Sequence, residues 1–188
     1  MERAKIDPTD PMRWHARLVA GLRALLGAAA VETIETHIST VLLAGEFAYK
    51  LKKPVDLGFL DFTTLPARKR YCEQELRLNR RTAPQLYLDV VAITGTVDEP
   101  RLGGAGEPID WTVRMRRFAA QDLLDARARA GLLDAACIDR LAATIAAFHM
   151  EAPRADAASA LGSAGTVARW MLDNHDGRRE HTGASVAP

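Results

Sequence analysis

Thr36-His-Ile-Ser-Thr-Val-Leu-Leu-Ala-Gly-Glu-Phe-Ala-Tyr-Lys-Leu-Lys-Lys-Pro-Val-Asp56 is the stretch on which the reading of this chain turns. Two runs rich in β-forming residues, 39–44 and 47–51, flank Gly45-Glu46, which predicts a β-hairpin. Strand alternation places Phe47, Tyr49 and Leu51 on one side and Ala48 and Lys50 on the other. A lysine within such a strand is costly unless its ammonium meets a partner. An edge strand pointing Lys50 into water is the competing reading. Pro54 closes the run, which predicts that Lys52 and Lys53 lie at the wet end of the strand.

Upstream, Asp10 is a candidate N-cap with Pro11 at the first helical position. Trp14, Leu18, Leu22, Leu25 and Leu26 then recur at helical spacing, so a helix that buries an apolar stripe is expected to end near Gly27. Residues 31–38 offer one further strand. Downstream, the apolar segment 56–62 is expected to pack down before a helix over 65–81, capped by Thr63 or Thr64. Leu65, Cys72, Leu76 and Asn79 share a face of that helix and Glu75 borders it. Arg68, Lys69, Arg70, Arg77, Arg80 and Arg81 give the rest a basic character, and Glu73 is the more exposed carboxylate.

Residues 86–94 and 111–118 predict a second antiparallel hairpin, with 95–110 as its turn. The cluster Gly103-Gly104-Ala105-Gly106 lacks the spacing of a phosphate-cradling loop and precedes no helix. From Gln121 onward the chain reads as helical. A short segment reaches Ala130, Gly131 breaks it, and Asp134 caps a helix to about Glu151 with Cys137, Leu141, Ile145 and Phe148 as its apolar stripe. His149 beside that stripe reads as a packing residue. Residues 152–163 resemble a linker, 167–172 a last helical turn, and 173–188 a disordered polar tail.

The 188 residues, 48% hydrophobic and 26% charged, describe a globular protein long enough to bury a core. A formal net charge of +1 gives no field that favours nucleic acid or an anionic membrane. The basic helix 68–81 carries interspersed Glu73 and Glu75 and no stacking aromatics, which further disfavours nucleic acid. Cys72 and Cys137 match no metal spacing and read as reduced core cysteines, which suits a cytoplasmic protein. Neither a secretory leader nor a membrane-spanning run is expected.

A hairpin with an internal lysine, a helix with an inward glutamate, two more strands and then helices form the order of a protein-kinase-like small lobe leading into a helical large lobe. The expected class is therefore α+β. Several blocks carry a closer resemblance: 34–39, 48–55, 58–62, 75–81, 86–88 and Val113-Arg-Met-Arg-Arg-Phe118. They closely resemble the aminoglycoside-phosphotransferase-like kinase domain of bacterial proteins, often described as bifunctional with a P-loop ATP-binding domain fused behind. The resemblance implies that ATP with magnesium is the ligand, Lys50 the phosphate-binding lysine and Glu75 its partner. It also implies that Met115, Arg116 and Arg117, running into Phe118, form the interlobe hinge whose backbone meets the adenine. Its acceptor would be an unidentified small molecule.

The family's aspartate base and its metal-binding asparagine and aspartate lie on a His-Gly-Asp-type loop and a later strand. Neither has a counterpart here: Asn174-His-Asp-Gly177 has the wrong order and reads as a turn, and no G-x-x-x-x-G-K-[ST] occurs. The expected organisation is an N-terminal helix over 1–30, a small lobe over 31–118, a truncated large lobe over 119–172 and a tail from 173. Two functions remain open on this reading. One is the front part of a phosphotransferase that at most binds nucleotide; the other is a non-catalytic module whose exposed stripe Leu141, Ile145 and Phe148 needs a partner chain.

Overall fold

The computed structural model describes residues 10–154, 156 and 162–181, with side chains described as far as Leu172 in the last helix. The chain divides into two units, Met1–Leu133 and Asp134–Pro188. The first is an α+β unit built on one antiparallel six-stranded sheet in the order β1-β2-β3-β6-β4-β5. Its strands are β1 (Glu32–Glu35), β2 (Ser39–Ala44), β3 (Phe47–Lys52), β4 (Tyr87–Gly95), β5 (Pro100–Leu102) and β6 (Asp110–Arg116).

The hairpin of 39–52 forms as its pattern predicts, with Ala44 paired to Phe47 across Gly45-Glu46. Gly45 holds φ at +55°, a conformation that side-chain-bearing residues rarely adopt. Strand β3 is interior, paired with β2 on one side and β6 on the other, so Lys50 does not point outward from an edge. The 95–110 segment is more than a turn, because β5 folds back onto β4 with Ile93 opposite Leu102.

Helix α1 (Pro11–Leu25) begins at Asp10, whose Oδ1 accepts from the Arg13 N–H at 2.8 Å. Trp14, Leu18 and Leu22 are buried against Leu42, Tyr49, Leu51 and Ile93. Leu25, expected on the same stripe, is exposed, whereas His15 is buried, because positions 15, 18 and 22 fall on one arc of the helix. Gly21 lets α1 approach the β4–β5 turn. A Cβ there would stand 2.7 Å from both Pro100 Cδ and the Val97 carbonyl oxygen.

Helix α2 (Leu65–Asn79) is capped by Thr64, whose hydroxyl accepts from Ala67 N–H. It packs on the face of the sheet opposite α1, since its Glu75 meets Lys50 and Lys52, which alternate with Tyr49 and Leu51. Arg68, expected on the solvated basic side, is fully buried. Its Nε donates to Asp110 Oδ1 at 2.8 Å and its Nη1 to the carbonyls of Phe62 and Thr63. Arg68 stands four residues before Cys72, one turn along the same buried face. After β6 the chain makes a 3-10 turn at Ala120–Asp122 and a short α3 (Leu124–Arg129), both inside the first unit, whose limit falls beyond the 118/119 boundary expected.

The second unit holds α4 (Ala135–Glu151) and α5 (Ala164–His181). Asp134 caps α4 by accepting from Cys137 N–H at 2.7 Å. Cys137 is only half-buried, unlike the buried Cys72, and no residue of α4 is buried. Of the tail expected from residue 173, the part to His181 is helical, and 174–177 lies within α5 and forms no turn. That stretch carries no proline, so a helix started at Ala164 meets no stop. Residues 1–9, 155, 157–161 and 182–188 lie outside the described ones, and with them the first part of the expected 1–30 segment and half of the 152–163 link.

His15 carries a consequence for stability. Thr40 donates its hydroxyl to Glu35 Oε2 at 3.0 Å, so the 2.9 Å contact from His15 Nε2 is the imidazole's N–H donating to Thr40. Burial pushes the imidazole down to about 4, against the opposing pull of Glu35. The unfolded chain, with an ordinary histidine near 6.5, binds the proton first as pH falls, so stability present at neutral pH is lost below that value. Urea unfolding is expected to lose about 2 kcal/mol between pH 7 and pH 5. In a His15→Gln variant that part of the slope disappears.

Candidate functional site

Strand β3 delivers Lys50 and Lys52 to the α2 face, two residues apart, while α2 delivers Glu75 from above. Lys50 Nζ donates to Glu75 Oε1 at 2.8 Å, and Lys52 Nζ bonds the other carboxylate oxygen. The side chains are 28% exposed for Lys50, 6% for Lys52 and 10% for Glu75. Lys52 therefore does not lie at a wet strand end. The period of two that turns Lys50 inward turns Lys52 inward as well, and this was the signal in the sequence. Lys53 is tied down too, with Nζ 2.6 Å from both the Thr36 carbonyl oxygen and Glu35 Oε2.

The electrostatics follow from that geometry. Burial raises the Glu75 carboxyl, but the nearby Lys52 charge and the hydrogen bonds from both lysines outweigh it and hold the group below the usual carboxylate range. Tyr87 on β4 is raised by burial first and then by the negative charge of Glu75. Cys72, one turn before Glu75 on α2, is pushed up to about 12 by burial, so its thiol is not a nucleophile. Glu73 pairs with Lys69 at 3.6 Å in solvent.

One pleat from Lys50, about 7 Å along β3, Ala48 opens onto a cleft of about 890 Å³. Leu43, Ala48, Tyr87 and Met115 form its floor: Leu43 pairs with Ala48, and Met115 pairs with both Ala48 and Tyr87, so all four project from one sheet face. Arg116, Arg117 and Phe118 continue the wall as the chain leaves the sheet. The N–H of Arg116 is held by the Leu86 carbonyl at 2.8 Å and that of Arg117 by the Glu46 carbonyl at 2.8 Å. A ligand in the cleft would meet carbonyls of this segment or N–H groups from Phe118 on. Arg117 also pairs with Glu32 across the cleft wall at 2.6 Å.

Of the five residues singled out from the sequence, Lys50, Glu75 and Met115 share the α2 face of the sheet, whereas Arg116, paired with Phe47, projects from the other face, and Arg117 follows the strand at the cleft wall. Lys52, Tyr87 and the buried pair Arg68–Asp110 were missed. Nothing near Asp110 in the sequence distinguished a strand-start carboxylate from a turn residue. Among the described residues, no group of three His, Cys, Asp or Glu side chains is placed to hold a metal ion, and no helix is long and apolar enough to cross a membrane.

The unequal burial of the two lysines predicts unequal costs. Glu75→Ala strands Lys52 without its carboxylate and is expected to cost about 3–5 kcal/mol in urea unfolding. Lys50→Ala, which removes a part-exposed charge and leaves Glu75 paired with Lys52, is expected to cost about 1 kcal/mol or less.

No family model matches the sequence, and no solved structure matches it. Three curated proteins do, each described as uncharacterised: one from Mycobacterium bovis and two from strains of Mycobacterium tuberculosis. Each is 36% identical over 157 residues, which covers 84% of this chain and 30% of the relative. The chain thus spans less than a third of the length of the curated relatives it matches.

Proposed function

We propose that the first unit is a nucleotide-binding small lobe of the protein-kinase kind, part of an ATP-dependent small-molecule phosphotransferase similar to the aminoglycoside-phosphotransferase-like kinases. One observation carries the reading: Lys50 on the interior strand and Glu75 on the helix that follows are 2.8 Å apart, one pleat from an aliphatic cleft on the same face. In kinases a strand lysine steered by a helix glutamate holds the nucleotide phosphates. The residues present fit that ligand. The base would lie over Ala48 and Met115, beside the Phe118 segment, and its phosphates would extend along β3 toward Lys50, whose side chain is 28% exposed.

In this reading the chain binds and orients nucleotide, and the transfer step draws on groups outside it. The γ-phosphoryl would pass to an acceptor hydroxyl whose proton goes to an aspartate, with magnesium ligated by further acidic or amide side chains. The relatives' greater length leaves room for such residues in a whole protein of this kind. A second reading, a non-catalytic module docking on a partner chain, is favoured by α4, where Ile138, Leu141 and Ile145 are all exposed.

Isothermal calorimetry of ATP-Mg on the full 188-residue chain, beside Lys50→Ala, separates the two. Saturable binding weakened about tenfold or more in the variant supports the nucleotide reading. A chain that is folded by circular dichroism and releases no heat with ATP-Mg overturns it and favours the module.

A further inference from the structure

From a break in the register of β4 we infer that Tyr87 is a base-reading residue, whose hydroxyl donates a hydrogen bond to N7 on the inner edge of a bound purine. This rests on the nucleotide reading above and deepens it, from a cleft that accepts a base by shape to one that tests for an acceptor atom. Val90 pairs with Val113 and Asp89 with Arg114, so an unbroken strand would set Leu88 opposite Met115. Instead the register slips between Tyr87 and Asp89, and Tyr87 takes that place. A β-bulge of this kind re-aims a side chain. Here it exchanges an aliphatic group for a phenol on the floor of the cleft. The distortion is held from outside the strand, because Arg80, just past α2, donates to the carbonyls of both Tyr87 and Leu88.

The hydroxyl is free to serve a ligand. It makes no hydrogen bond with any described residue, and the two oxygens of the neighbouring Glu75 carboxylate are taken by Lys50 and Lys52. Burial and the charge of Glu75 keep the phenol protonated near pH 7, so it is available as a donor. Leu43, Ala48 and Met115, which share the floor, offer no side-chain donor. The surroundings decide which edge of the base meets Tyr87. The end of α2 stands beside the start of β4, where Arg80 ties the two, whereas the β1 side of the cleft is open, with Ile34 49% exposed. Ile34 also lies in the row of Lys50, through Val41 between them. A purine whose pairing edge meets the Phe118 segment, and whose sugar and phosphates leave on the β1 side, turns N7 toward β6 and β4. Tyr87 stands there, next beyond Met115 in the same row. The Lys50–Glu75 pair stays intact in this arrangement.

Deleting the acceptor and deleting the donor test the same bond. Calorimetry on the full chain compares ATP-Mg with the magnesium complex of 7-deaza-ATP, in which a C–H replaces N7, for wild type and for Tyr87→Phe. Wild type is expected to bind ATP about three- to tenfold more tightly than the analogue, the worth of one neutral hydrogen bond. Tyr87→Phe keeps the ring and loses only the hydroxyl, so it is expected to bind ATP more weakly than wild type does and to bind the two ligands alike. Thermal melts establish that the variant is folded. A wild type indifferent to the loss of N7 overturns the inference, and so does a folded Tyr87→Phe that keeps the preference for ATP. Either result leaves the nucleotide reading standing. If the variant is unfolded, wild type alone decides: a preference for ATP supports the inference and its absence overturns it. No binding of ATP-Mg by wild type overturns both readings.

Discussion

The carboxylate of Glu75, held between two lysines of one strand, is the contact on which the arrangement of this protein's first unit depends. It fixes α2 over the sheet, sets the rotation of that helix, and makes two inward ammoniums tolerable on an interior strand. Without a carboxylate at that height on α2, the face of β3 that carries Lys50 and Lys52 would have to remain in water.

The two faces of the sheet are held by different physics. On the α1 side, Trp14, Leu18 and Leu22 meet Leu42, Tyr49, Leu51 and Ile93 in an apolar core, where the stabilisation is non-directional and scales with area. On the α2 side, the only buried residues of the helix are Arg68 and Cys72, and charged contacts do most of the docking. Arg68 meets Asp110 near the helix start, Glu75 meets the lysines in its last turns, and Arg80 just beyond it donates to the carbonyls of Tyr87 and Leu88. Such contacts are directional and satisfied in one arrangement only, so they specify position more than they add stability. A helix placed in this way is suited to present a single carboxylate at a defined point.

That placement also locates the cleft. The interior position of β3 brings Ala48 beside Lys50, and the pairing of β6 on its far side brings Met115 and the departing Phe118 segment to the same wall. The apolar floor and the cationic end are therefore consecutive positions along one strand face, which is the order that a ligand with an apolar base and an anionic tail would need.

Much of this could be read from local pattern. Strand alternation, turn residues and caps act over a few positions, so the hairpin over 39–51, the start of α1 at Asp10, the start of α2 at Thr63 or Thr64 and the break at Gly131 were all legible in the sequence alone. For Lys50 the local pattern left an inward and an edge-exposed reading open, and its pairing with Glu75 was implied by the resemblance to a kinase small lobe; the interior place of β3 decides the first and the 2.8 Å contact shows the second. Tertiary structure decided the rest. Pro54 suggested water at Lys52, and only the placement of α2 and Phe62 over that strand end turned it into a buried charge. Arg68 and Asp110 are 42 residues apart, and each looked solvated until the fold enclosed both. A charged side chain is buried or exposed according to what distant segments bring to it, and local periodicity carries no record of those segments.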